Sequence, residues 1–258
     1  MNKTRFGKIA KGFTAAAAAL VVLSPIRANA DFIQLGFILD GSGSIGDTNW
    51  TTIVNGLSSA VGSLIPVGGA DTYEISVVRF GSSADTPISN FVVTDAASRA
   101  TLAGQIAAIP FLNGGSTNYA AAFNEMSATL QGSTAPVDRT YVNFATDGNA
   151  NSGGTGVTEF GNMLTNASVD NVSIEAIGSN VDATNLQNNF CYPGPCDLTA
   201  PYNFPTQGFY IGIASAADYG AAIALKIRTV VNPTPEPGTL ALLGLGLVGL
   251  GLGRRRKA

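Results

Sequence analysis

The chain has 258 residues, 45% of them hydrophobic and only 12% charged, with 14 Lys and Arg, 17 Asp and Glu, and no histidine. The lack of histidine excludes Ser-His-Asp and Cys-His catalysis, and also zinc sites built from Cys and His. Nine of the basic residues lie before Asp31 or after Gly253, so residues 31–253 keep five against all 17 acids, near −12. A surface of that sign excludes a nucleic-acid partner.

The first segment along the chain reads as a leader. Lys3, Arg5, Lys8 and Lys11 stand with no acid among them, Phe13 to Leu23 is small or apolar throughout, and Ala28-Asn29-Ala30 offers a small-x-small cleavage triplet. The apolar run is well short of the roughly 20 residues that span a bilayer. The expected organisation is a removable signal peptide at 1–30, one folded domain at 31–231 beginning at Asp31 after cleavage, and a tail at 232–258.

Within the domain, Phe32 to Leu39, Tyr73 to Phe80, Tyr141 to Ala145, Val172 to Ile177 and Phe209 to Ile213 are short apolar runs that read as buried strands. Amphipathic or Ala-rich stretches alternate with them: Asp47 to Leu64, Ala96 to Ala108, Asn118 to Leu130, Val157 to Asn166 and Ala216 to Ile227. This alternation predicts an α/β fold, a doubly wound and mainly parallel sheet with helices on both faces. Ile88 to Thr94 adds an antiparallel edge strand, because only a short loop separates it from the strand before. Cys191 and Cys196 bracket the turn-prone Tyr-Pro-Gly-Pro, and in an exported chain they are expected to form a disulfide. A two-Cys metal site would need a second ligand pair, which the sequence lacks.

The tail has three parts: Asn232-Pro-Thr-Pro-Glu-Pro237, then Leu240 to Gly253 made only of Leu, Ala, Val and Gly, then Arg254-Arg255-Arg256-Lys257. An apolar run followed by a basic cluster is a membrane stop. This one is short, and its five glycines weaken a helix. Transient membrane insertion as a processing signal is therefore expected, with a plain tail anchor packed through Gly249 and Gly253 as the alternative. The order of parts resembles the bacterial PEP-CTERM sorting signal. That resemblance implies cutting near Pro-Glu-Pro by an exosortase-type membrane protease and release to the cell surface or extracellular matrix.

Oxygen donors gather where strands hand over to helices. Asp40-Gly41-Ser42-Gly43-Ser44 follows the first strand, Gly114-Gly115-Ser116-Thr117-Asn118 precedes an Ala-rich helix, and Thr146-Asp147-Gly148 follows a later strand. In an open α/β sheet such loops can share one crevice. Two carboxylates and three hydroxyls are hard donors that suit Mg²⁺, with Mn²⁺ or Ca²⁺ as substitutes.

Asp-x-Ser-x-Ser, the distant Thr after Gly-Gly and the later Thr-Asp-Gly resemble the metal ion-dependent adhesion site of von Willebrand factor type A and integrin I-like domains. The resemblance implies Ser42, Ser44 and Thr117 as direct ligands, with Asp40 and Asp147 acting directly or through water. It further implies that an acidic group of a partner, a protein carboxylate or an acidic exopolysaccharide, completes the coordination, and that the chain is an adhesion protein rather than an enzyme. Ser116 departs from the usual Gly-Gly-Thr. Two other motifs compete for these residues. Gly41 to Gly46 fits the dinucleotide fingerprint, but Asp40 would lie beside the pyrophosphate. Asp147-x-Asn149-x-Asn151 imitates the start of an EF-hand loop, but Ser152 stands where that loop needs glycine. A Mg²⁺-dependent phosphohydrolase using Asp40 as nucleophile, or a passive envelope protein, are the alternative functions.

Overall fold

The computed structural model describes residues 30–231. The expected signal peptide, apart from Ala30, and the 232–258 tail lie outside the described residues. The elements run β1 (Phe32–Asp40), α1 (Gly46–Leu64), β2 (Thr72–Phe80), β3 (Ala84–Val93), α2 (Ala96–Ala107), α3 (Tyr119–Gln131), β4 (Arg139–Thr146), α4 (Val157–Asn166), β5 (Asn171–Ile177), α5 (Ala183–Asn189), β6 (Tyr210–Ile213) and α6 (Tyr219–Val231). A single 3₁₀ turn, Ala216–Asp218, leads into α6.

The strands form one six-stranded sheet in the order β3-β2-β1-β4-β5-β6. All neighbours are parallel except β2 and β3. This is the doubly wound fold with one antiparallel edge. β1 is buried from Ile33 to Asp40 because helices cover both faces, which is why its sequence is a nearly continuous apolar run rather than an alternating one. Under one face, α1, α2 and α6 pack Trp50, Leu57, Leu102 and Ile223 against Leu35, Phe37 and Val77. Under the other, α3, α4 and α5 supply Phe123, Met126, Phe160 and Leu186. Phe123 stands 5.0 Å from Phe144 and 5.4 Å from Phe190, ring centre to ring centre.

Several limits differ from the sequence expectation. The last helix begins at Tyr219 after the 3₁₀ turn and runs on to Val231. Asn118 is not the first helical residue but the cap of α3, accepting from the Ala121 N–H at 3.0 Å. The edge strand starts four residues earlier than expected, at Ala84. Helix α5 was not expected at all. Its one buried residue is Leu186, so it carries no apolar stripe, and its only local signal is the cap Asp182. A disulfide joins Cys191 to Cys196 in the loop after α5.

A polar cluster around β5 and α6 lies inside the core. Glu175 of β5 and Lys226 of α6 are both buried. The Asn143 amide donates to Glu175, and the Lys226 ammonium donates to the Val142 carbonyl at 3.3 Å and sits 4.9 Å from the centre of the Phe209 ring. Burial pushes the Glu175 carboxyl up and the Lys226 amine down, and the opposite charge of each works against the other's shift. Through these contacts Lys226 ties α6 to the middle of the sheet.

Candidate metal centre

The three strand-end loops meet at the carboxyl ends of β1 and β4, the neighbouring strands at which the winding reverses. That is where a doubly wound sheet leaves a crevice for ligands. Asp40 ends β1 and is only 2% exposed. One of its oxygens accepts from the Ser42 backbone N–H at 2.9 Å and the other from the Thr146 hydroxyl at 2.6 Å. Burial pushes its pKa up to about 6, the charge of Asp147 adds to the shift, and the Ser42 and Thr146 bonds restrain it.

Asp147 stands one residue past β4 and is partly buried. Burial raises its carboxyl, opposed by the Ser44 hydroxyl, which donates to it at 2.8 Å. Ser44 is in turn 3.1 Å from the buried Ser42, hydroxyl to hydroxyl. Four of the five expected donors are therefore linked by direct hydrogen bonds.

Thr117 arrives from the third loop, and backbone bonds lace together this loop, the Asp40 loop and the end of β2. Gly41 N–H donates to the Phe80 carbonyl at 2.7 Å, Gly114 N–H to Gly41 at 3.1 Å, Gly43 N–H to Gly115 at 3.1 Å and Asn118 N–H to Gly81 at 3.0 Å. This lacing requires glycine, since a Cβ on Gly81 would fall 2.6 Å from the Gly114 Cα. Asn151 holds Thr117 from the opposite side. Thr117 N–H donates to the Asn151 side-chain oxygen at 2.8 Å, and Asn151 N–H returns a bond to the Thr117 carbonyl at 3.0 Å. A Cβ built on Gly148 would stand 3.7 Å from the Thr117 hydroxyl and 4.0 Å from that of Ser44, so both hydroxyls flank the Asp147 loop. The extra Ser116 is tied to Ser82 at 2.9 Å and Ser152 at 2.8 Å, leaving Thr117 at the crevice.

Sequence reasoning missed two supporting residues. Thr146 was legible as the first member of Thr-Asp-Gly, but its bond to Asp40 depends on the β1/β4 pairing. Asn151 carried no signal beyond a false EF-hand spacing. Its side-chain oxygen is engaged by Thr117, and Asn149 binds the Asp182 N–H at 2.7 Å and the Asn180 carbonyl at 3.1 Å. Those amides serve the loops rather than a calcium ring.

The donor set fits a divalent ion. Among the described residues, no three Asp, Glu, Cys or His side chains cluster, and neither ion pair involves Asp40 or Asp147. Asp40 is thus buried and Asp147 partly so, with no ion pair to a protein cation among the described residues and with hydroxyls around them. Such oxygen-only surroundings favour hard divalent cations over soft ones.

Comparisons with known proteins agree with this geometry. The model of the von Willebrand factor type A domain matches residues 34–205. The PEP-CTERM protein-sorting motif matches residues 233–257, beyond the described region. Among solved structures, proximal thread matrix protein 1 from the mussel byssus is similar with a TM-score of 0.60 at 17% identity, over 78% of this chain and 49% of that one. A structure of the same mussel protein with a zinc-occupied MIDAS motif gives 0.56 at 18% identity, over 78% and 48%. A von Willebrand factor type A protein from Catenulispora acidiphila gives 0.57 at 16% identity, over 78% and 42%. These identities show a common fold, and the chain spans about half the length of those proteins or less. With its sheet order, its strand-end loops and a family match over two thirds of its length, the chain belongs to the von Willebrand factor type A domain family and ends in a PEP-CTERM sorting motif.

Proposed function

We propose that this is an exported, non-enzymatic binding protein that engages an acidic group on its partner through a divalent ion held by Asp40, Ser42, Ser44, Thr117 and Asp147. The observation that carries the reading is the convergence of these five oxygen donors, with no protein cation beside them, at the switch point of the sheet. When bound, the ion offers a coordination position that a partner carboxylate can complete. The protein's own groups prepare that position. Thr146 and the Ser42 N–H orient Asp40, Ser44 fixes Asp147, and Asn151 fixes the Thr117 backbone. An attacking role for Asp40 is disfavoured, since both its oxygens are engaged and almost no surface is left to a substrate.

Export follows from the leader at 1–30 and the tail at 232–258. The PEP-CTERM motif supports processing by an exosortase and delivery of the domain, 31–231, to the cell surface or extracellular matrix. The partner is a protein carboxylate or an acidic exopolysaccharide, and Mg²⁺ is the expected ion, with Mn²⁺ or Ca²⁺ able to replace it. The lack of histidine argues against a Cys and His zinc site, not against zinc among oxygens, so zinc belongs in the test.

Calorimetric titration of the processed protein with Mg²⁺, Mn²⁺, Ca²⁺ and Zn²⁺ should show one site, lost in the Asp40→Ala, Asp147→Ala double variant. Equal affinity in the wild type and the double variant ends the proposal. Pull-down from the producing cell's envelope, with Mg²⁺ and with chelator, then identifies the partner.

A further inference from the structure

At the opposite edge of the sheet, where the parallel strands begin, lies a hollow of about 440 Å³. Ile33, Tyr73, Tyr141, Phe204 and Val230 make its apolar wall, and Asp31, Asp71 and Arg139 its charged margin. Tyr73 and Tyr141 flank β1, opposite Ile33 and Leu35 in the register. No group among the described residues hydrogen-bonds either phenol hydroxyl. Burial raises both to about 12, so they stay protonated and able to donate. Val231, the last residue of α6, also lines the hollow, so the chain leaves the described region inside it.

The segment directly after Val231 is Asn232-Pro-Thr-Pro-Glu-Pro237. Each of Asn232, Thr234 and Glu236 precedes a proline, and a residue before proline is driven out of the helical region towards extended backbone. Proline itself fixes φ near the polyproline II value. A sequence of this kind favours polyproline II, whose carbonyls make no internal hydrogen bonds and are open to outside donors. Aromatic hollows with hydroxyl donors are how such segments are recognised elsewhere.

We propose that this basal hollow is the docking site for Asn232 to Pro237 of the same chain, with the Tyr73 and Tyr141 hydroxyls donating to its carbonyls and Arg139 meeting Glu236. One turn of polyproline II, three residues and about 9 Å long, is short enough to be accommodated there. Among the described residues Arg139 makes one ion pair, a long one to Asp31 at 4.0 Å, and both side chains are about half exposed, which leaves its guanidinium free to turn to a second carboxylate. In a chain starting at Asp31, the backbone nitrogen that donates to Asp71 at 3.1 Å becomes an ammonium, a second cation at the same margin. Covalent attachment next to the hollow gives the segment an effective concentration in the millimolar range, ahead of any free competitor. Docking sets Pro-Glu-Pro against the folded domain, so the domain governs how much of the sorting motif is presented for cutting. This inference is independent of the metal reading.

The test uses the full chain in detergent, with a photoreactive benzoylphenylalanine in place of Thr234. Irradiation should give a monomeric product whose cross-linked peptide contains Tyr73, Tyr141 or Phe204. The Tyr73→Phe, Tyr141→Phe double variant keeps both rings and, with an unchanged circular dichroism spectrum as evidence of folding, should lose roughly tenfold in cross-linking yield. Arg139→Ala, an exposed change that spares the core, should lower the yield as well. Cross-links to another surface of the domain, a cross-linked dimer, or an unchanged yield in all variants would each overturn the proposal.

Discussion

A carboxyl group with almost no water around it gives up its proton reluctantly, and Asp40 is such a group, with its pKa pushed up to about 6 from 3.8. Because the folded form holds the proton more tightly than the unfolded one, proton uptake stabilises the metal-free domain below about pH 4, and that contribution is lost as pH rises through 6. The shift corresponds to about 3 kcal/mol at neutral pH. In urea melts with chelator, Asp40→Asn should therefore gain on the wild type between pH 5 and pH 7.5. A difference that does not change with pH would remove this account. Metal binding should show the opposite trend, weakening below about pH 6 as protons compete for Asp40. Thr146 acts through Asp40 and is a positioning residue. Thr146→Val should cost about 1–3 kcal/mol of stability by stripping a buried carboxylate of its donor. It should also lower metal affinity and move the midpoint of its pH profile upward, while Thr146→Ser restores both. Calorimetry across pH separates this from simple loss of fold.

The crevice depends on how closely the elements around it can approach, and Gly81 marks the tightest contact. In Gly81→Ala the new methyl would press on the Gly114 backbone and push away the loop that carries Thr117. Metal affinity should fall further than thermal stability does, a contrast seen by pairing calorimetry with melting. The parallel strands and the Asp-x-Ser-x-Ser loop were legible in the sequence because each is a local pattern, an apolar run or a fixed spacing. What could not be read there belongs to pairing across the sheet. The Thr146 bond to Asp40 joins residues 106 apart, and the Asn151 bond to Thr117 joins residues 34 apart. Helix α5 escaped for the complementary reason. Its single buried side chain, Leu186, makes no period to detect. The Cys191–Cys196 link closes a very short loop, so reduction should cost only roughly 2 kcal/mol by chain entropy, measurable as a shift in denaturation midpoint.

For the molecule as a whole, the leader and the tail predict a processed form that begins at Asp31 and lacks Arg254 to Lys257, which intact-mass analysis of surface material can check. The metal crevice lies at one edge of the sheet, and α6 ends at the other. When the domain grips a partner while its tail is still fastened, mechanical load enters at the crevice and leaves through the C-terminal end of α6. Pulled from that end, a helix on the outside of the sheet peels rather than shears, turn by turn from Val230 inward. The first turn offers only apolar contacts, but the second brings up Lys226, whose amine would have to be dragged off the Val142 carbonyl and away from the buried Glu175. The buried lysine thus works as a bolt against peeling. In single-molecule pulling from the C-terminus, Lys226→Met should lower the rupture force of the first step, and the Lys226→Met, Glu175→Gln pair should not restore it even where it recovers thermal stability. A rupture force unchanged by Lys226→Met would mean that α6 is held by its apolar face alone.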